Sequence, residues 1–391
     1  MATEILTKQA ERNPLSGAFS RRSFHRFASL LAAGAALPFY NERALAQLSM
    51  VRDLPPDAVK INANENPMGP CPEAAEAIHA VVQKGGRYLY EETFAMASTL
   101  AEQEGVKFSW DPASSYVQAF AGSSDPLHRA VLAFCSKDKP FVVADPGYEA
   151  GSRAAKFIGA AVVTVPLVKG SAAHDVKALA AAHPSPGVIY VCNPNNPTGT
   201  VTPKADIEWL VANQPAGSVV LLDEAYIHLS QSAVMSSYLA AADKDLIILR
   251  TFSKLYGMAG LRAGAAIARP DLLRKMNVYT AGALPVTAMV GANASLKVKS
   301  LIPERRATIA AIRTETFEFL DKHNIEFIPS EANMFMMNVK RPGKDFYEQM
   351  AKHKVYIGRV WPVWPTWVRV TVGTREEMAK FREACVQCYA S

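Results

Sequence analysis

No apolar run in this chain is long enough to cross a bilayer, so a helical membrane span is not what organises it. Cysteine is scarce: five among 391 residues, too scattered for a disulfide framework. The one suggestive pair, Cys385 and Cys388, supplies at most two of a structural zinc site's four ligands. Its helical spacing near the C-terminus reads first as packing. A strong excess of one charge is missing too. The formal net charge is +6, and residues 1–46 alone hold six basic and three acidic side chains, so half of that excess sits in the opening segment. The remainder of the chain carries no basic stripe, and nucleic acid is not an expected partner. Internal repeats and low-complexity tracts are also absent, which sets solenoids and disordered assemblies aside. A 49% apolar composition with a mean hydropathy of +0.02 describes an ordinary globular chain.

The first residues read as an address. Ser20-Arg21-Arg22-Ser23-Phe24 resembles a twin-arginine export signal; a short apolar run over residues 28–37 comes next, then Ala44-Leu45-Ala46. Residues 1–46 are therefore expected to be a cleavable signal, with the twin-arginine machinery as partner and a periplasmic or otherwise exported location. The rival is an amphipathic N-terminal helix, which would leave the protein cytoplasmic.

The chemistry concentrates in Thr251-Phe252-Ser253-Lys254, followed by Gly257, Gly260, Arg262 and Gly264, just after the apolar run 246–249. A solvated lysine gains nothing from hydroxyls and a guanidinium around it. A lysine that forms an imine with an aldehyde cofactor does, because the cofactor's phosphate needs them. Two further polar clusters come after short apolar runs. Residues 188–192 lead into Asn193-Pro194-Asn195-Asn196-Pro197-Thr198-Gly199, and residues 219–222 lead into Asp223-Glu224-Ala225-Tyr226. Each run has the length of a buried parallel strand, and each cluster would lie beyond its carboxyl end, where ligands bind in open α/β sheets. Gly122-Ser123-Ser124-Asp125 precedes a helical pattern, and a small-residue turn at a helix start offers free N–H groups to a phosphate. An N-cap by Ser124 or Asp125 is compatible with that role.

Together these segments resemble the class I/II aminotransferases that use pyridoxal 5'-phosphate (PLP), and most closely histidinol-phosphate aminotransferases. The resemblance implies fold type I: an α/β large domain with a mostly parallel seven-stranded sheet, plus a smaller α+β domain. It implies Lys254 as the cofactor lysine and proton carrier, Asp223 against the pyridine nitrogen, and Asn196 and Tyr226 at the ring's 3-oxygen. Ser123, Ser124, Thr251, Ser253 and Arg262 would hold the phosphate, and Tyr148 of Asp145-Pro146-Gly147-Tyr148 would stack on the ring. Tyr88, with Tyr90 as rival, would reach the neighbouring subunit's phosphate in a homodimer. Arg369 would grip the substrate α-carboxylate through two parallel hydrogen bonds, which a lysine cannot supply. Asn64 and Asn66 belong to the segment covering the site. Arg359 stands where histidinol-phosphate aminotransferases carry an arginine for the substrate phosphate. Beyond it Trp361, Trp364 and Trp367 either wall an aromatic side-chain pocket or pack the small domain.

The expected organisation is a signal (1–46), an arm and helix (47–84), a PLP-binding large domain (85–285), and a linker helix with a small domain (286–391). Strands are expected near 141–144, 161–167, 187–192, 218–222, 246–250 and 263–268, and one long helical pattern near 287–322. The activity so implied is transamination between an L-amino acid, of histidinol-phosphate or aromatic type, and a 2-oxo acid. Racemisation, lyase or oxidase chemistry on the same scaffold is the first alternative, and a non-catalytic exported binding module the second.

Overall fold

Val188–Cys192 and Val219–Asp223 are five-residue runs in which every residue is buried. Only a strand covered on both faces accommodates that, and such strands belong to parallel sheets wrapped by helices. The computed structural model describes residues 54–280 and 282–389, and the expected export signal lies outside them. In chain order the strands are β1 (Val59–Ile61), β2 (Val117–Phe120), β3 (Phe141–Asp145), β4 (Val162–Pro166), β5 (Val188–Cys192), β6 (Val219–Asp223), β7 (Leu246–Thr251) and β8 (Gly264–Ile267). Seven of them form one sheet in the order β2-β8-β7-β6-β5-β3-β4. Strands β4, β3, β5, β6 and β7 run parallel, and β8 opposes both of its neighbours. The six expected strands are present. Strand β2 is an addition to them, because four residues interrupted by Gln118 give too little periodicity to stand out.

The helices are α1 (Pro72–Val82), α2 (Tyr90–Glu104), α3 (Ser124–Phe134), α4 (Ala150–Phe157), α5 (Val176–Ala181), α6 (Lys204–Asn213), α7 (Ser237–Ala241), α8 (Pro270–Asn277), α9 (Val286–Lys297), α10 (Leu301–Lys322), α11 (Gly343–Lys352) and α12 (Arg375–Tyr389). The pattern near 287–322 is thus two helices rather than one. A continuous helix would place Pro303 in its interior, at the cost of a backbone hydrogen bond and a clash. Restarting at Leu301 puts the proline in a first turn, where no such bond exists to lose. Helix α9 packs against α1 and α2.

The C-terminal part adds β9 (Phe327–Ile328), β10 (Met334–Asn338), β11 (Val355–Ile357), β12 (Val360–Trp361) and β13 (Trp364–Thr371). An antiparallel sheet of order β12-β13-β10-β9 forms there, with helices α11 and α12 alongside it. Strand β1 pairs in parallel with β11, Ile61 opposite Ile357, so the start of the described chain is woven into its end. That pairing delivers the polar segment after Ile61 to the large sheet. Cys385 and Cys388 are buried on α12 and form no disulfide, in keeping with packing, and burial pushes the Cys385 thiol up to about 12.

One charged cluster ties these layers together. Arg250 on β7, 2% exposed, donates to both oxygens of Glu104 at the end of α2 (3.0 and 2.9 Å) and pairs with Glu224 after β6. Ser237 on α7 bonds Glu104 as well. A buried guanidinium between two carboxylates is tolerable only because all three are paired.

Candidate active site

Strands β5, β6 and β7 end side by side, and their carboxyl ends carry Asn193–Gly199, Asp223 and Thr251–Lys254. A cavity of about 280 Å³ opens there. Its walls include Asn64, Ser123, Ser124, Tyr148, Asn196, Asp223, Tyr226, Thr251, Ser253, Lys254, Arg262, Arg359 and Arg369. Of the residues expected from the sequence to hold cofactor or substrate, Tyr88 alone lies outside it. That side chain is 71% exposed and stacks on Tyr90 with ring centroids 5.5 Å apart. Asn66, from the covering segment, stands behind the wall and donates from Nδ2 to the Leu255 carbonyl at 2.8 Å.

Asp223 is the last residue of β6 and is 3% exposed. The Tyr190 hydroxyl donates to its Oδ2 at 2.9 Å, and the Ala225 N–H donates to Oδ1 at 3.1 Å. Burial pushes its carboxyl up to about 6, against the pull of those hydrogen bonds and of the Lys254 and Arg250 charges. The group stays mostly ionised at neutral pH: a buried anion on a cavity wall, suited to a cationic partner. Tyr226 accepts a hydrogen bond from Asn64 Nδ2 at 3.1 Å, and burial drives its phenol pKa upward. The Lys254 Nζ lies 5.6 Å from the centre of the Tyr226 ring.

An anion cup lies at the start of α3. Ser123 makes no side-chain cap there. Asp125, a candidate N-cap from the sequence, instead pairs with Arg129 at 2.6 and 2.8 Å. Thr251 Oγ1 donates to Ser253 Oγ at 3.0 Å, and Arg262 Nη1 donates to the same oxygen at 3.2 Å. Gly122 has φ +82°, and a Cβ there would overlap the Arg262 guanidinium. The backbone is thus free of side chains where hydroxyls, helix N–H groups and a guanidinium converge, which is how a phosphate is held.

On the opposite wall Arg369 is 7% exposed and donates to Asn196 Oδ1 at 3.0 Å and to the Asn62 carbonyl at 2.7 Å. Both partners are neutral oxygens, its Nε is buried without a partner, and burial lowers its pKa to about 10. A cation so placed gains from an incoming carboxylate. Arg359 lies 4.4 Å over the Trp361 ring and donates to Glu149 Oε2 at 2.6 Å. The tryptophans do not wall the cavity. Trp361 is 1% exposed in a core with Ile328 and Met336, and Trp364 and Trp367 pack against that core. Packing takes the faces of Trp361, which meets the site only from beneath the two arginines, while Trp364 and Trp367 stay half-buried.

Sequence reasoning did not find Tyr190, Asn62, Glu149 or the Arg250 cluster. Tyr190 carried a signal, as the one hydroxyl in an otherwise apolar buried strand. Asn62 acts through its backbone carbonyl, which residue type does not reveal.

Comparison with known proteins agrees with this geometry. The family model for aminotransferase class I and II matches residues 56–384. The chain belongs to the class I and II aminotransferases. It is 30% identical to histidinol-phosphate aminotransferase of Moorella thermoacetica over 335 residues, covering 84% of each chain. It is 32% identical to an aromatic amino acid aminotransferase of Cutibacterium acnes, covering 85% of this chain and 92% of that one. The crystal structure of histidinol-phosphate aminotransferase from Sinorhizobium meliloti in complex with PLP superposes with a TM-score of 0.78. At 23% identity, over 90% of this chain and 94% of that one, that likeness speaks for the fold. The fold is the type I fold of PLP-dependent aminotransferases, and transamination with PLP is the chemistry of the class. The cavity fits that cofactor, with an anion cup at one end, a buried carboxylate between, and a lysine on the wall.

Proposed function

We propose that this aminotransferase takes an amino donor of histidinol-phosphate or aromatic type and passes its amino group to a 2-oxo acid. What carries the reading is that one cavity holds Lys254, Asp223 and the under-partnered Arg369 together. Bound PLP supplies an electron sink for the bond broken at the donor's Cα. Lys254 holds the cofactor and then acts as general base, moving the Cα proton. Asp223 sets its buried charge against the pyridine nitrogen, and Tyr190 and the Ala225 N–H keep that carboxylate oriented. Tyr226 and Asn196 serve the ring's 3-oxygen, with Asn196 also an acceptor for Arg369. Tyr148, on the cavity wall, would cover the ring face. Ser123, Ser124, Thr251, Ser253 and Arg262 take the phosphate. Arg369 orients the α-carboxylate of an aromatic donor, Arg359 the phosphate that histidinol phosphate carries in the carboxylate's place, and Asn64 with its loop closes water out.

We further propose export through the twin-arginine route, supported by Arg21-Arg22 and the apolar run after them. A homodimer in which Tyr88 serves the neighbouring site is supported by that side chain's exposure. The test is a panel of amino donors read by the bound cofactor's absorbance. A donor should change the spectrum and a 2-oxo acid should restore it, and Lys254→Ala should abolish both changes. A borohydride-reducible linkage persisting in Lys254→Ala would refute the lysine assignment.

A further inference from the structure

Two guanidiniums, Arg359 and Arg369, line the substrate end of the cavity, and a third, Arg153, shares a carboxylate with Arg359. Glu149 Oε2 accepts from Arg359 Nη1 at 2.6 Å and from Arg153 Nη2 at 3.0 Å. Arg369 contributes a third positive charge, and the charges of Arg359 and Glu149 both act on it. This corner is built rather than incidental. Arg359 lies against Trp361, whose Nε1 donates to the Gly147 carbonyl at 3.1 Å, two residues before Glu149. A Cβ at Gly147 would collide with the Ala144 carbonyl, so the turn presenting Glu149 accepts only glycine there. On the other side Gly358 lets the chain pass close over Arg369, where a Cβ would fall 2.7 Å from its carbonyl oxygen.

The consequence concerns which substrates the corner admits. Arg359 lines the cavity with 13% of its side chain exposed, but its charge is already answered. A donor whose anion is a single α-carboxylate is answered by Arg369 and leaves the Glu149–Arg359 pair intact. A doubly charged phosphate approaches a compensated cation with a carboxylate beside it, and gains Arg359 only by displacing Glu149. We propose that Glu149 is a specificity-determining residue that weakens the claim of phosphate-bearing donors on Arg359 and favours those, such as aromatic amino acids, whose only anion is an α-carboxylate. The inference rests on the transaminase reading above.

The test uses the PLP-loaded enzyme, so that the cofactor's own phosphate fills the cup at α3. Glu149→Gln keeps the shape of the side chain and removes its charge. The ratio of kcat/KM for histidinol phosphate over phenylalanine should rise about tenfold, the equivalent of about 1.4 kcal/mol. The rise should appear in KM, and Arg359→Ala in the same background should erase it. Calorimetric titration with inorganic phosphate reads the corner without turnover, and its affinity should rise by a similar factor in Glu149→Gln. An unchanged kcat/KM ratio, or phosphate affinity unmoved by the substitution, overturns the proposal. An enzyme that turns over neither donor refutes the proposed function instead, and the phosphate titration still decides the role of Glu149.

Discussion

Replacing Asp223 by Asn should make the cofactor-free protein more stable while impairing the enzyme. Burial raises the carboxyl from its ordinary 3.8 to about 6, so the folded chain holds this proton more tightly than the unfolded chain does. Below the lower value both states are protonated and the group costs nothing. Between the two the unfolded chain ionises first, and stability is lost as pH rises. Above about 6 the whole penalty is present, about 3 kcal/mol from a gap of roughly two pK units. Asn carries no charge, but it cannot accept from both the Tyr190 hydroxyl and the Ala225 N–H, which returns about 1 kcal/mol of the gain. Urea unfolding of the stripped protein at about pH 7.5 should therefore show Asp223→Asn more stable by about 2 kcal/mol, an advantage that vanishes near about pH 4.5. The loaded variant should lose turnover. A variant less stable than the parent under the mildly alkaline condition, or a difference that ignores pH, would refute the account of Asp223 as a strained buried anion.

Three other outcomes are expected. Arg369→Lys keeps a charge but loses one of two charge-assisted bonds. That costs roughly 1.5–3 kcal/mol, so kcat/KM for donors with an α-carboxylate should fall about tenfold to 150-fold. Gly122→Ala places a methyl group against Arg262 at φ +82°, so titration of the stripped protein should show PLP affinity reduced about tenfold or more. Circular dichroism of that variant should match the parent. His174 is held neutral by burial, which lowers its pKa to about 4, and bonds Thr202 Oγ1 at 2.9 Å. Its contribution is complete above the unfolded value of 6.5 and is lost as pH falls towards 4, about 3 kcal/mol in all. His174→Asn should flatten that part of the acid-stability profile.

The cofactor side of the site was legible in the sequence because its chemistry needs particular side chains at strand ends. Asp223 ends a strand, Lys254, Asn196 and Arg262 each follow a strand or its turn, and the sheet brings those ends together whatever the loops between them do. The substrate side was less legible, because it depends on which pairs form across long separations. Arg359 reads from the sequence as a fixed positive charge, yet its partner Glu149 lies 210 residues away. The sequence leaves Trp361 open between pocket wall and core, and packing against Met336 and Ile328 decides for the core. The division of the helix near 287–322 was visible in Pro303, but periodicity does not weigh one proline.

The pairing of β1 with β11 also orders events in time. Asn64 meets Thr371 across 307 residues, and Arg369 reaches back the same distance to the Asn62 carbonyl. During synthesis the large sheet has all of its strands once Ile267 has emerged, but this wall of the cavity waits for the last quarter of the chain. Contacts of such long sequence separation are also slow to form. A nascent chain stalled before β13 holds the anion cup and Asp223 without Arg369. The end of the cavity with the anion cup can therefore be assembled before the wall that carries Arg369 exists.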